Sequence, residues 1–329
     1  MRELNVRNLR RAAKLSALIA ILFSPVVFLG AFSELGAAGA QGRGRAPAGP
    51  PEPTPRLADG SVNLGRTAGE KGVWSVPYIT NMGERVVMPD STTVAETRAA
   101  AFRARGGRGR GGADAALGGG EGTLGGARGG AASEPQMPFM PWSAAIYNYN
   151  SKNNSKYDPE GYCLPPGGPR LMATPYPMEI IQLPEQKRII MTFEGATHIW
   201  REIYMDGRAH PTGDDLNPTY LGHSVGKWEG DTLVVDVVGF NEQTWLDYYG
   251  HPHTDQMHVV ERFSRPNKRT LHYEATVDDP GAYTKPFTLR WDIPWNPTGE
   301  LTEYICQENN KYLQRLTDDF GQPLFGKKQ

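Results

Sequence analysis

Hydrophobic and polar residues alternate with a period of two in four segments of the C-terminal half of the chain. In one of them the hydrophobic residues at positions 233, 235 and 237 share a face, and Asp236 lies on the opposite face. Side chains of a β-strand point alternately to the two faces of a sheet, so this pattern predicts strands with one buried face. The four segments are 188–194, 232–240, 270–277 and 287–293.

Further segments of strand length complete a set of about nine strands. These segments are 178–183, 198–205, 224–228, 257–264 and 301–306. Short turn sequences separate many of the strands, at 184–187, 229–231 and 265–269, and Asp206-Gly207 follows a strand in the same way. Connections this short join antiparallel neighbours, because parallel strands need a long crossover.

The strand pattern therefore predicts an all-β domain over residues 138–329. We expect antiparallel strands in meander order that form a calycin-like barrel, or a strongly curved sheet, with an internal pocket. A β-sandwich is the second architecture. The sequence shows no convincing amphipathic helix inside this region.

The N-terminal third of the chain lacks this alternation. Residues 41–57 are rich in Gly, Pro, Ala and Arg, and residues 103–132 form a Gly/Arg-rich low-complexity insertion. Such segments bury too little apolar surface to offset their ordering entropy, so we predict a flexible leader over 41–137. Within it, modest order is expected from 57 to 89, followed by a short helix capped by Asp90 or Ser91. The Gly/Arg run also resembles an RNA-binding segment, although a disordered insertion is the preferred interpretation.

Residues 1–40 have the pattern of a secretory signal peptide. Five basic residues precede an apolar run from Leu15 to Phe32, and the small residues Ala38-Gly39-Ala40 form a cleavage site. An uncleaved membrane anchor is the alternative, but Pro25 and the small residues favour cleavage. We therefore predict an exported protein, periplasmic or extracellular, that contacts a membrane only through its export signal.

Charge and cysteine content add two expectations. The chain beyond residue 40 has 30 basic and 34 acidic residues, which gives no reason to expect a nucleic-acid partner. Its two cysteines, Cys163 and Cys306, favour one disulfide in an oxidising compartment, with two buried free thiols as the alternative.

Several longer motifs support a family resemblance. They are CLPPGGPR from Cys163, LGHSVGKWEGDTL from Leu221, GHPH from Gly250, HVVERF from His258 and EYIC from Glu303. With these motifs the chain resembles an uncharacterised family of predicted secreted proteins from soil bacteria. The resemblance covers about residues 160–310 and implies export and a shared domain, not a reaction.

Candidate chemistry concentrates in one loop, where His251, His253 and His258 fall within eight positions and Asp247 lies close by. His-x-His in an extended segment directs both imidazoles to one side, and a third ligand would complete an open site for a divalent metal such as Zn or Fe. One alternative is a metal-free site in which Asp247 and His258 are catalytic. The other is a structural role, because Pro252 disturbs regular strand geometry.

Two further sets of residues are candidates for a binding or catalytic site. His223 is a candidate general base, but it cannot easily serve the adjacent Ser224, because neighbouring residues of a strand point to opposite faces. Trp200, Arg201 and Trp245 are candidates for the wall of a ligand pocket, although aromatic residues at strand spacing are more often part of a core.

These observations favour a binding function. We expect an exported barrel whose internal pocket holds a small apolar or aromatic molecule. One alternative is a secreted enzyme of hydrolase or lyase/isomerase type that uses the histidine-rich loop, with or without a metal. The other is a surface interaction module.

Overall fold

The computed structural model of the chain describes residues 50–104, 137–153, 156–195 and 199–308. The predicted signal peptide and most of the Gly/Arg-rich insertion lie outside these residues. Within the part that is described, no helix is both long enough and apolar enough to cross a membrane.

Nine strands form a closed barrel in which each strand pairs with its neighbours in sequence order. The last strand pairs with the first through Trp295 and Trp74, so the sheet closes on itself. The strands are β1 (Val73–Ser75), β2 (Pro177–Leu183), β3 (Arg188–Phe193), β4 (Trp200–Tyr204), β5 (His223–Glu229), β6 (Thr232–Val238), β7 (His258–Asn267), β8 (Thr270–Asp278) and β9 (Phe287–Asn296).

The all-β barrel predicted from the alternation is confirmed, and eight of the nine predicted segments are strands. The prediction for 301–306 is wrong, because this segment forms no strand. Instead, the backbone N–H of Thr302 donates to the Glu194 carboxylate at 2.8 Å, and Cys306 is held by a disulfide. The ninth strand is β1, whose three residues are too few to show an alternation.

One pair of neighbours departs from the antiparallel order. β4 and β5 are parallel, with Ile203 opposite Ser224 and Tyr204 opposite Val225. Residues 205–222 connect them and form the long crossover that parallel neighbours require. The prediction of a short turn at Asp206-Gly207 is therefore wrong, since these residues begin the crossover.

Side chains from the inner faces of the strands pack closely inside the barrel. The Tyr273 ring lies 5.1 Å from the Phe263 ring and 4.7 Å from the Trp291 ring, measured between centroids. At Gly226 of β5, an added Cβ would come within 2.5 Å of Sδ of Met205, so a larger residue there would require the Met205 side chain to move. The clefts described below open at the surface of this packed barrel.

The barrel domain begins before the predicted boundary at residue 138. Val62, Leu64 and Trp74 belong to the same hydrophobic core as the later strands, and Nε1 of Trp74 donates to the Leu64 carbonyl at 2.8 Å. The partners of β1 are β2 and β9, each more than 100 residues away in sequence. The local pattern of residues therefore gives no sign of these contacts.

The described residues contain two α-helices, α1 (Val94–Ala104) and α2 (Pro141–Lys152). The first was predicted, but its cap is not at Asp90. Glu96 N–H donates to Oγ1 of Thr93 at 3.2 Å, and the Glu96 carboxylate accepts from Thr93 N–H at 2.6 Å, which is a capping box.

The second helix was not predicted, because its buried face is polar. The Ser143 hydroxyl donates to the Ala282 carbonyl at 2.5 Å, and the Asn150 amide donates to the Gly250 carbonyl at 3.1 Å. Both side chains are buried by hydrogen bonds to the barrel loops. A helix that packs through such contacts does not show the hydrophobic period by which helices are recognised.

The predicted disulfide between Cys163 and Cys306 is confirmed, with the two Cα atoms 5.6 Å apart. It joins the segment before β2 to the segment after β9 and closes a loop with a sequence separation of 143. On the chain-entropy model, a loop of this size contributes up to about 5 kcal/mol to the free energy of unfolding.

Candidate functional site

The first part of the histidine-bearing loop is buried around Asp247. This carboxylate accepts hydrogen bonds from the backbone N–H groups of Met82 and Gly250 at 2.6 and 2.9 Å. Its Oδ2 also lies 2.5 Å from Nδ1 of His251. Burial alone would raise the pKa of Asp247, but the His251 ring and the backbone donors hold it below its ordinary value. Asp247 is thus a buried anion that joins the loop to the backbone at Met82.

His253 is buried in the same loop with both ring nitrogens hydrogen-bonded. Its Nδ1 lies 3.1 Å from the Thr254 carbonyl and its Nε2 lies 2.7 Å from the Thr244 hydroxyl. Because a carbonyl only accepts, Nδ1 carries the proton, and the Thr244 hydroxyl donates to Nε2. Burial lowers the pKa of His253, which keeps the ring neutral.

The predicted metal ligands are not brought together. Nδ1 of His251 faces Asp247, both nitrogens of His253 are engaged, and His258 pairs with Asp236 of β6. Among the residues that the structure describes, no group of three or more His, Cys, Asp or Glu side chains is arranged to hold a metal ion. The geometry therefore does not support the Zn or Fe site expected from the spacing of these histidines.

A groove of about 640 Å³ opens between β4, the start of β5 and the crossover 205–222. We call it the His223 groove, after the imidazole in its wall. Most of the wall is hydrophobic. It includes Trp200, Tyr204, Tyr220, Leu216 and Leu221.

The groove gathers three of the predicted site residues. Trp200 lies on the outer face of β4 with 59% of its surface exposed, whereas Arg201 points into the barrel and is buried. His223, at the start of β5, is half-buried beside them. Trp245 is also half-buried but is not part of the groove wall.

The strand register explains how His223 and His258 come to flank one carboxylate. Asp236 of β6 lies opposite Val225 of β5 and opposite Val260 of β7. The two histidines stand two residues before these valines, so they lie on the same outer face as diagonal neighbours of Asp236. Side chains at such diagonal positions are within reach of one another when they are long or aromatic.

The crossover adds a third histidine and completes a chain of hydrogen bonds. Nε2 of His210 lies 2.9 Å from Oδ1 of Asp236, and Nδ1 of His210 lies 2.8 Å from Nδ1 of His223. On the other side, Nε2 of His258 lies 3.1 Å from Oδ2 of Asp236. We refer to His223, His210, Asp236 and His258 as the histidine relay.

The tautomers of the relay follow from the carboxylate at its centre. An ionised carboxylate only accepts, so Nε2 of His210 carries a proton. In a neutral His210 ring, Nδ1 then accepts, and the Nδ1–H of His223 donates to it. This leaves the lone pair of His223 on Nε2, the remaining ring nitrogen.

The environment of His223 favours this neutral form. Burial lowers its pKa, and the neighbouring His210 ring and the positive charge of Arg208 lower it further. The Tyr204 ring stacks on the His223 ring with centroids 5.2 Å apart. The Arg208 guanidinium in turn lies 3.8 Å from the centroid of the Tyr204 ring. A neutral imidazole held in this way can accept a hydrogen bond or a proton.

Arg201 belongs to a polar network inside the barrel. Its Nε donates to the Ser224 hydroxyl at 3.0 Å, and its guanidinium forms a buried ion pair with Glu261. Glu261 also accepts from the Tyr273 hydroxyl at 2.7 Å. Burial lowers the pKa of Arg201, but Glu261 raises it above its ordinary value, so Arg201 is a fixed positive charge behind the groove.

Two residues of the relay, His210 and Asp236, were not among the predicted site residues. Asp236 carries a recognisable signal, since it is a carboxylate on the outer face of a strongly alternating strand. His210 carries none, because only the parallel crossover places it beside His223.

Comparison of the chain with protein-family models, with curated proteins and with solved structures finds no match.

Proposed function

We propose that this chain is an exported β-barrel protein that binds a small aromatic molecule in the His223 groove. One observation carries the proposal: the groove combines three aromatic walls, Trp200, Tyr204 and Tyr220, with an imidazole held in a hydrogen-bonded relay. Its volume of about 640 Å³ lies within the range of small-molecule sites, which are mostly apolar with a few placed polar groups.

The relay indicates which aromatic molecules bind best. Nε2 of neutral His223 offers a lone pair, so a ligand with a hydrogen-bond donor on its ring is favoured over the same ring without one. Phenols and naphthols meet this requirement. A ligand that placed only a hydrogen-bond acceptor at this position would face the Nε2 lone pair of His223, and this would lower its affinity.

Export is part of the same proposal. The N-terminal sequence has the order of a signal peptide, and Cys163 and Cys306 form a disulfide of the kind that persists in oxidising compartments. The proposal requires neither a metal nor a nucleic-acid partner.

Calorimetric titration of the purified, oxidised protein with 1-naphthol tests the proposal. We expect saturable binding, and affinity that is weaker by about tenfold for 1-methoxynaphthalene, which lacks the donor. Trp200→Ala removes a wall and should weaken 1-naphthol by about tenfold. Trp142→Ala, which removes an exposed tryptophan of α2 outside the groove, is the matched control and should leave the affinity unchanged.

Equal affinity for the two naphthalenes, or equal loss in the two tryptophan variants, would refute this assignment of the groove. In the first case His223 makes no contact with the ligand donor. In the second case the ligand does not contact the Trp200 wall.

The relay favours one second candidate, an enzyme that abstracts a proton from the bound molecule. Asp236 and His210 orient His223 and leave a lone pair on its Nε2, as a general base requires. Ring opening of 5-nitrobenzisoxazole, in which a base removes the C–H proton while the N–O bond breaks to give a cyanophenolate, is a probe for this. We expect turnover above buffer that His223→Phe abolishes and His272→Gln leaves unchanged; a rate that does not depend on His223 rules this candidate out.

A further inference from the structure

A second cleft, of about 430 Å³, lies beside the disulfide and shares no wall residue with the His223 groove. We call it the tyrosine cleft, because four tyrosines line it: Tyr78, Tyr176, Tyr248 and Tyr304. The segments that supply them come from before β2, from the loop before β7 and from the chain after β9. The Cys163–Cys306 disulfide, which is also in the wall, holds two of these segments together.

The tyrosine rings form two pairs with different orientations. The rings of Tyr78 and Tyr248 are 6.5 Å apart at 70°, and those of Tyr176 and Tyr304 are 4.7 Å apart at 47°. The hydroxyl of Tyr176 donates to that of Tyr304 at 3.0 Å, which fixes the second pair. The cleft therefore presents aromatic surfaces in more than one direction.

The charged residues of the wall leave an excess of negative charge. Arg170 donates to both oxygens of Asp158 at 2.7 and 2.6 Å, and it also lies 2.7 Å from Glu160. One guanidinium thus faces two carboxylates. Arg170 and Asp158 are almost fully buried, whereas Glu160 retains 23% of its side-chain surface exposed.

These features select the charge of a ligand. An anion is disfavoured, because the one guanidinium in the wall is already bound by two carboxylates. An organic cation is favoured, because the faces of tyrosine rings carry negative potential and the carboxylate excess adds to it. A cation without N–H donors suits the cleft best. It forms no hydrogen bonds that the tyrosine faces would have to replace when it leaves water.

We propose that the tyrosine cleft binds a small organic cation of the quaternary ammonium class. This site is independent of the aromatic ligand proposed for the His223 groove. The cation sits against the tyrosine faces, with its charge balanced by the Asp158–Glu160 side of the wall.

Titration of the purified, oxidised protein with choline, followed by ligand-observed NMR or calorimetry, tests this site. The control ligand is 3,3-dimethylbutan-1-ol, which has the shape of choline without the charge. We expect it to bind at least about tenfold more weakly than choline. Equal binding of the two would overturn the proposal, because the cleft would then select shape and not charge.

Three variants examine the role of the rings and the carboxylate. Tyr78→Leu and Glu160→Gln should each weaken choline by about tenfold, whereas Tyr78→Phe, which keeps the ring, should stay within about threefold of the parent. Tyr149→Leu changes another exposed tyrosine, which lies outside the cleft, and should have no effect. Near-UV circular dichroism establishes that each variant is folded.

The proposal is overturned if folded Tyr78→Leu retains the choline affinity of the parent, or if Tyr78→Phe loses as much as Tyr78→Leu. The same variants should bind 1-naphthol as the parent does, so the outcome here does not depend on the outcome at the His223 groove.

Discussion

The molecule contains two histidine–carboxylate pairs, His251–Asp247 and His258–Asp236, that differ in their surroundings. In the loop before β7, His251 and Asp247 are both buried, and the carboxylate is saturated by backbone donors. On the outer face of the barrel, His258 and Asp236 are 40% and 47% exposed, and Asp236 continues through His210 to a groove. The first arrangement holds the loop to the fold, and the second reaches the wall of the His223 groove.

This difference shows how a structural histidine can be told from a candidate site histidine. The better criterion is whether all its ring nitrogens already have protein partners, and not whether an acidic residue lies beside it. Each nitrogen of His253 has a protein partner, so nothing is left for a ligand. In the relay, His223 uses one nitrogen for His210 and keeps Nε2. A buried, saturated pair costs stability when it is broken, whereas an exposed pair costs little.

The largest expected effect is on stability. Asp247→Asn removes the buried charge that accepts from His251 and three backbone N–H groups, and we expect a loss of about 3 kcal/mol in the free energy of unfolding. Asp236→Asn, at the exposed carboxylate, should lose less than about 1 kcal/mol. Urea unfolding measures both; similar losses in the two variants would remove the distinction between the regions.

The second effect is a pH dependence of stability. Burial lowers the pKa of His253 below the value of 6.5 expected in the unfolded chain, so the unfolded chain takes up a proton first as the pH falls below 6.5. The contribution of His253 to the free energy of unfolding is therefore complete above pH 6.5 and is lost on acidification. The free energy of unfolding falls by at most about 1.4 kcal/mol per pH unit on this account. Urea unfolding between pH 7.5 and 5 should therefore show a smaller slope for His253→Gln than for the parent, and an identical slope would contradict the buried neutral ring.

The lowered pKa of Asp247 acts in the same direction at lower pH. Its stabilising contribution is present above its ordinary value of 3.8 and is lost as the pH falls through the lower value in the folded state. The two groups therefore contribute in separate pH ranges.

A third and smaller effect concerns the groove. His210→Phe removes the acceptor of the His223 Nδ1–H, and it also removes the electrostatic influence of His210 that lowers the pKa of His223. We expect the pKa of His223 to rise and the affinity for 1-naphthol to fall by about threefold, because the orientation and tautomer of the ring are no longer fixed. NMR titration of the ring protons gives the pKa; an unchanged value would mean that His210 does not act on His223.

The smallest effect is expected at the far end of the relay. His258→Gln should change the affinity for 1-naphthol by less than about twofold, since Asp236 and His210 still orient His223. His272→Gln is a matched control, because His272 forms a similar exposed pair with Asp292 at 2.7 Å on another part of the barrel. A loss specific to His258 would place it in the binding machinery, contrary to this expectation.

The barrel was largely predictable because most of its strands bury one face. Leu271, Tyr273, Ala275 and Val277 of β8 alternate with polar residues, and each is fully buried. By contrast, β1 is too short to show a period, and α2 packs through Ser143 and Asn150 instead of through apolar residues. The period of hydrophobic residues indicates which elements bury one face against a core. It does not reveal elements that are held by distant partners or by polar contacts.

The candidate site was predictable only in part, for a related reason. His223, Trp200 and Arg201 stand out as chemistry-bearing residues, and the groove does bring them together. The loop histidines stood out equally, but Nδ1 of His251 faces Asp247 and both nitrogens of His253 are hydrogen-bonded to the protein, which spacing cannot show. His210 was missed because its position depends on the parallel pairing of β4 and β5. The short turns in the sequence predicted antiparallel neighbours and gave no sign of this pairing.

The most direct test of the His223 groove is the protonation state of its imidazole with and without a ligand. Nitrogen-15 NMR of labelled histidine rings at pH 7 distinguishes the two neutral tautomers from the charged form. We predict that His223 is neutral with its proton on Nδ1, and that 1-naphthol shifts the Nε2 resonance while leaving both nitrogens of His253 unchanged. A charged His223, or an Nε2 resonance that 1-naphthol leaves in place at saturation, would contradict the account.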